Sequence, residues 1–130
     1  MREMMALQDR DPIAPLDVGT LAQLSAIQRN GRPGFMDQVI TLFLLTAPSM
    51  IKDLQIAAGT DEVVALHRLS HSLRSCSAVI GALSLASLCE ALERMARGGS
   101  VSDANARIGA IAQEYNRVEA ALTGTRLLLR

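Results

Sequence analysis

The sequence predicts an all-α protein, an antiparallel four-helix bundle with a short extra helix at its N-terminal side. Three observations carry that prediction. The 130 residues are 49% hydrophobic but only 2% aromatic, so the core must be built from Leu, Ile, Val, Met and Ala, a palette that suits helices better than sheets. Apolar residues recur at three- and four-residue spacing in successive stretches. No segment alternates apolar and polar residues for long enough to make a half-buried strand.

Each element follows in order. Asp17 is placed to cap a short helix running to about Gln28, with Leu21, Leu24 and Ile27 on one face. The stretch RNGRPG at 29–34 breaks it. A long apolar helix is expected from about Phe35 to Ala57, with Phe35, Val39, Ile40, Phe43, Leu44, Ile51 and Leu54 inward. Pro48 lies inside it and has no N–H to offer the Leu44 carbonyl, which predicts a kink or two shorter helices. Gly59 reads as a C-terminal cap and Thr60 as the N-cap of a third helix, with Asp61 and Glu62 in its first turn, where the helix dipole favours negative charge. This third helix runs to about Ile80 and stops at Gly81. A fourth spans about Leu83 to Arg97, with Leu85, Leu88, Leu92 and Met95 inward, and GGS at 98–100 ends it. Asp103 lies near the start of the last helix, whose stripe is Ile108, Ile111, Tyr115, Val118 and Leu122. The chain thus divides into a lead-in or linker over 1–15, a bundle over 16–125 and a tail over 126–130.

Composition excludes several classes. The formal net charge is zero, without the basic excess of a general nucleic-acid binder. The longest strongly apolar run, Val39 to Leu45, is too short to span a bilayer, and MREMMALQDRDP lacks the apolar stretch of a signal peptide. A cytoplasmic protein with no membrane contact is expected. Cys76 and Cys89 have no metal-type spacing and are too few for a disulfide framework; two reduced, part-buried thiols are expected.

Both histidines fall in HRLSHSLRSCSAVIGA, residues 67–82. On a helical wheel, Leu66, Leu69, Leu73 and Ile80 cluster in one arc, flanked by Cys76 and Ser77, and His71 lies almost opposite. His67, Arg74 and Ala78 fall within about 40° of His71, and Ser75 borders them. This outer face lacks the long paired charges of an ordinary solvated helix surface. An imidazole among small side chains is open to close approach by another protein, and an arginine one turn on can hold an arriving anion. Neutral imidazole is a nucleophile, and near pH 7 much of a histidine population is neutral. The residue types therefore suit an imidazole that accepts and donates a phosphoryl group.

The stretch LHRLSHSLRSCSAVIGALSLASLCEALE, residues 66–93, resembles the signature of histidine-containing phosphotransfer (HPt) domains. The likeness lies in a histidine, a leucine two on, a basic residue three on, small residues, Gly81-Ala82, then Leu88-Cys89 and Leu92-Glu93. FMDQVITLFLLTAPSMIKDL resembles the family's preceding helix more weakly, and the whole likeness covers about 17–122. It implies a helical bundle that carries phosphoryl groups without catalytic machinery of its own. His71 would be the phosphoryl acceptor, Arg74 the residue that neutralises the phosphoryl group, and Gly81 the turn that ends the active helix. Glu93 matches a position whose Glu or Gln can hydrogen-bond the far imidazole nitrogen and fix its tautomer. Arg97 is expected as a second phosphate or partner contact, or as a simple i, i+4 partner of Glu93. His67 and Ala78 read as supporting or partner-facing. The family usually has glycine where this chain has Ser75, whose hydroxymethyl would either bond the phosphoryl group or crowd the approach.

The resemblance also implies partners: receiver domains of a hybrid sensor kinase or response regulator. They would supply phospho-aspartate and Mg²⁺ to a monomeric carrier that binds no cofactor itself. The carrier would be free-standing or the terminal domain of a hybrid kinase. An alternative is an HPt-like module that binds a receiver or another signalling protein without phosphotransfer, a reading that Ser75 keeps open. A zinc site built on His67 and His71, at i, i+4, is opposed by Arg68 and Arg74 and by the lack of an HExxH glutamate. A histidine kinase dimerisation helix would need an ATP-binding domain.

Overall fold

A computed structural model describes residues 14–128. Its helices are α1 (Val18–Arg29), α2 (Phe35–Gly59), α3 (Val63–Val79), α4 (Leu83–Arg97) and α5 (Ala104–Leu128), and there is no strand among the described residues. Helices α2 and α3 pack together, α3 packs on α4, α4 on α5, and α5 returns to α2, closing a four-helix ring with α1 laid on α2. The all-α bundle is as the sequence predicts. Most of the 1–15 lead-in falls outside the described residues. At the other end α5 runs on to Leu128, past residue 125 where the bundle was expected to finish; Arg126 Nε reaches Asp37 Oδ1 at 3.1 Å and ties that last turn to α2.

The core is aliphatic. Ile40 and Leu54 of α2, Leu66, Leu73 and Ile80 in and just after α3, Leu85 and Leu92 of α4, and Ile111, Val118 and Leu122 of α5 are fully buried. Each such side chain contributes about 1.5–3 kcal/mol by leaving water. The two large rings, Phe43 and Tyr115, meet at 5.9 Å between α2 and α5. Along α2 the inward stripe also includes Met36, Ala47, Ala57 and Ala58, while Ile27 of α1 is 42% exposed and not inward as expected.

Three local expectations are corrected. Of the two outcomes expected at Pro48, a kink or a break into two helices, the break does not occur: α2 is one element, with the proline on the exposed side, where the backbone carbonyl left without a partner can turn to water. Helix α2 is also long and apolar enough, by length and composition alone, to cross a membrane, an 18-residue window of it having a mean hydropathy of 1.4; counting only the unbroken run Val39–Leu45 missed this. In the bundle its Met36–Ile40–Phe43–Ala47 stripe lies in the core. Thr60 does not cap α3. It closes α2: its hydroxyl lies 3.0 Å from Ile56 O and 2.7 Å from Glu62 Oε2, its single proton shared between the two. The chain reverses at Asp61, which takes φ 54° in place of a glycine, and α3 starts after Glu62 without a side-chain cap.

The turn after α3 fixes how α1 attaches. Gly81 has φ 84°, a conformation that costs an L side chain about 1–2 kcal/mol. Its N–H donates to Ala78 O and its carbonyl accepts from Asp17 N–H at 2.7 Å. Asp17 Oδ2 in turn accepts from the Thr20 hydroxyl and backbone N–H, both at 2.8 Å, and these bonds hold its carboxyl below the usual value. A Cβ on Gly81 would lie 3.0 Å from Thr20 Cβ and 3.2 Å from Thr20 Cγ2. Gly81→Ala is therefore expected to lower unfolding free energy by about 2–4 kcal/mol, strain and crowding together. Gly109→Ala, on an exposed helical face with nothing within 4 Å of the new methyl, should raise it by up to about 1 kcal/mol. Urea denaturation of the two variants checks the opposite signs.

Candidate functional site

Helices α3 and α4 make the most extensive contact of any helix pair among the described residues, and small side chains lie buried on both. On α3, Ser70 and Ser77 are fully buried, their hydroxyls turned back to Leu66 O at 2.6 Å and Leu73 O at 2.7 Å, so they bring no unsatisfied donor to the seam. On α4, Cys89 and Ala96 are buried and share the face of Glu93 at i−4 and i+3. This close seam lets a side chain as short as glutamate cross from α4 to α3.

Glu93 is the centre of the site. It is only 2% exposed, and four basic side chains converge on it. Oε2 lies 2.9 Å from His71 Nδ1, 3.3 Å from Arg97 Nη2 and 3.8 Å from His67 Nε2; Oε1 lies 2.9 Å from Arg74 Nε. The Arg74 pair is close but not aligned, since neither Arg74 Nε nor Glu93 Oε1 makes a directed hydrogen bond; it acts as an ion pair. Burial alone would push the Glu93 carboxyl up. The His71 hydrogen bond and the charges of Arg74, His71 and Arg97 outweigh it and hold the group below the ordinary carboxylate value.

This arrangement sets the histidine's tautomer. Both Glu93 Oε2, at 2.9 Å, and Arg74 Nη2, at 3.2 Å, approach His71 Nδ1. An N–H cannot donate to the carboxylate and accept from the guanidinium at once. The shorter contact to an ionised acceptor is the stronger, so Nδ1 carries the proton and donates to Glu93, and Arg74 is drawn in by the carboxylate. The lone pair then lies on Nε2, which makes no hydrogen bond among the described residues, on a side chain 54% exposed. The site therefore presents an oriented, uncapped nucleophilic nitrogen to solvent.

The structure brings His71, His67, Arg74, Glu93 and Arg97 together. Ser75 and Ala78 are exposed on the same helix and make no hydrogen bond or ion pair with these groups; Gly81 lies at the end of α3, away from them. The wheel placed His71 opposite the core, whereas it leans onto α4. The reason is that Ser70 and Ser77 belong to the buried face and Leu69 is only partly buried, which rotates the true inward arc towards α4. Small residues seven apart, Ser70 and Ser77 on one helix and Cys89 and Ala96 on the next, are the sequence signal for this seam. Arg74 and Arg97 occupy approaches a cation would need, and no group of three or more potential metal ligands occurs among the described residues. Cys89, its thiol pushed up to about 12 chiefly by burial, is inert packing; Cys76 is partly exposed.

A family model for the Hpt domain matches residues 38–121, more than half of the chain. The chain belongs to the Hpt domain family. Among solved structures, this Hpt domain is similar to histidine-containing phosphotransfer protein B (HptB) from Pseudomonas aeruginosa PAO1, at 26% identity over 89% of this chain and 97% of that one, with a TM-score of 0.80. It shares its fold with ZmHP2, a histidine-containing phosphotransfer protein from maize, at 22% identity over 98% and 95% of the two chains and a TM-score of 0.80. A search of curated protein sequences found no match. As an Hpt domain the chain has a phosphorelay role.

Proposed function

We propose that this Hpt domain is a phosphorelay intermediate that takes a phosphoryl group from a receiver-domain phospho-aspartate onto His71 Nε2 and passes it to another receiver aspartate. The observation that supports this most directly is the 2.9 Å bond from His71 Nδ1 to the buried Glu93 carboxylate, which leaves the outer nitrogen as the lone-pair donor. The Nε2 lone pair attacks phosphorus in line, the N–P bond forms as the acyl phosphate O–P bond breaks, and the aspartate leaves as carboxylate. The positive charge that develops on the ring is met by Glu93, which keeps the Nδ1 proton in a strengthened, charge-assisted bond. Charge on the phosphoryl oxygens would be met by the receiver's Mg²⁺, while Arg74, held against Glu93 on the Nδ1 side of the ring, adds positive charge near the group. Little covalent chemistry is asked of the carrier; its contribution is positioning. The carrier is monomeric and cytoplasmic in this reading, whether free-standing or part of a hybrid kinase.

The test is transfer itself. The protein is mixed with a phosphorylated receiver domain and Mg²⁺, and the label is located by peptide mass spectrometry and by its acid-labile, base-stable character. The expected result is one phosphoryl group on His71. Receiver binding with no transfer from several receivers would favour a module that binds without relaying.

A further inference from the structure

The α3 serines fall into two kinds. Ser70 and Ser77 are buried and spend their hydroxyls on carbonyls of their own helix. Ser75 is exposed, and its hydroxyl has no hydrogen-bond partner among the described residues. It stands one turn after His71, about 40° round the wheel on the side away from α4. Side chains on a helix tilt towards its N-terminus, so the Ser75 hydroxyl leans back over the turn that carries His71. Arg68, also exposed on that flank, starts one turn before His71 and tilts away from it.

The charged donors near the ring are arranged differently. Arg74 and Arg97 both lie against Glu93, and Arg74 Nη2 sits 3.2 Å from Nδ1. They cluster on the Nδ1 side of the imidazole, whereas the reacting nitrogen is Nε2, on the side turned outward. From these placements we infer that the Ser75 hydroxyl donates a hydrogen bond to a phosphoryl oxygen once the group is on His71 Nε2, and so prolongs the life of the phosphorylated carrier. This rests on the His71 relay reading above and adds to it the residue that retains the cargo between partners.

The direction of the effect follows from the chemistry. Loss of the group to water breaks the N–P bond through a loose, metaphosphate-like transition state. Negative charge on the phosphoryl oxygens is lower there than in the phosphorylated ground state, so a donor to those oxygens stabilises the ground state more and slows the loss.

The experiment uses phosphoramidate as a small-molecule donor, so that no receiver has to dock. The intact protein, Ser75→Ala and Ser75→Thr are phosphorylated, the donor is removed, and decay of the label on His71 is followed by phosphorus NMR at pH 7.5, with thermal melts alongside. Ser75→Ala should lose its label about fivefold faster, and Ser75→Thr, which keeps a hydroxyl, should stay within about twofold of wild type, with melting curves that coincide. Equal decay for Ser75→Ala and wild type overturns the proposal. So does fast decay of both variants, which would show that the hydroxyl is not what matters. A wild-type protein that takes up no label on His71 from either phosphoramidate or a phosphorylated receiver defeats the relay reading itself, an outcome separate from the first two.

Discussion

His71→Gln is expected to take up no phosphoryl label from a phosphorylated receiver, a complete loss against wild type, while its thermal melt stays within a degree or two. Glutamine keeps a polar side chain of similar length whose amide N–H can still donate to Glu93, but an amide nitrogen has no nucleophilic lone pair. The side chain is 54% exposed, and substitutions at such positions usually shift stability by no more than about 0.5 kcal/mol. His67→Gln in the same assay should label as wild type does. His67 Nε2 is 3.8 Å from Glu93 Oε2, too far for a hydrogen bond to fix that ring's tautomer. Undiminished label on His71→Gln would move the acceptor to another residue.

Glu93→Ala is expected to slow uptake by about 10- to 100-fold, the scale seen when the partner that orients a histidine's far nitrogen is removed from metal-bound histidines. Glu93→Gln should fall between that variant and wild type, because its carbonyl oxygen can accept from Nδ1 but brings no charge to the developing imidazolium. Rapid-quench transfer kinetics check the order. The same residue predicts a pH effect on stability. Its carboxyl titrates below its unfolded value of 4.5 in the folded protein, so between the two values the unfolded chain binds more protons than the native one, and stability rises with pH. The stabilisation is complete above about pH 5–6 and is lost as pH falls through the folded value. Wild type should therefore lose more unfolding free energy between pH 6 and pH 3 than Glu93→Gln does, as urea titrations at each pH would register. Parallel curves would mean that the four basic neighbours add nothing to the fold.

Much of the fold is legible because helix periodicity, caps and breakers are local. Asp17 caps α1 as its sequence position suggests, Leu83–Arg97 is read off LSLASLCEALERMAR without error, and the α5 stripe from Ile108 to Leu122 is wholly buried. The misreadings come where tertiary contact overrides local preference. Thr60 has the chemistry of an N-cap, but its hydroxyl is shared between the Ile56 carbonyl of the helix before it and the Glu62 side chain. Pro48 is tolerated because it faces outward. At the site, His71 and Arg74 are conspicuous in the sequence, yet nothing local to α3 says that Arg74, Arg97 and His67 all turn to one carboxylate on α4. That depends on how near the two helices come, which the buried serines decide, and polar residues at core positions are what a hydrophobic count discards.

The seam of Ser70, Ser77, Cys89 and Ala96 has a consequence for how the site tolerates change. Because these side chains are short, the two backbones can lie near each other, and the His71 and Glu93 side chains meet at 2.9 Å across them. The ring is held in its reactive tautomer before any partner arrives, at no cost in freedom at the moment of transfer. The same closeness leaves little room: an added methyl at one of these buried positions, touching no phosphate, is expected to crowd the helices and lengthen the His71–Glu93 bond. The reactivity of an exposed histidine is in this way guarded by the smallness of residues that never meet its partners.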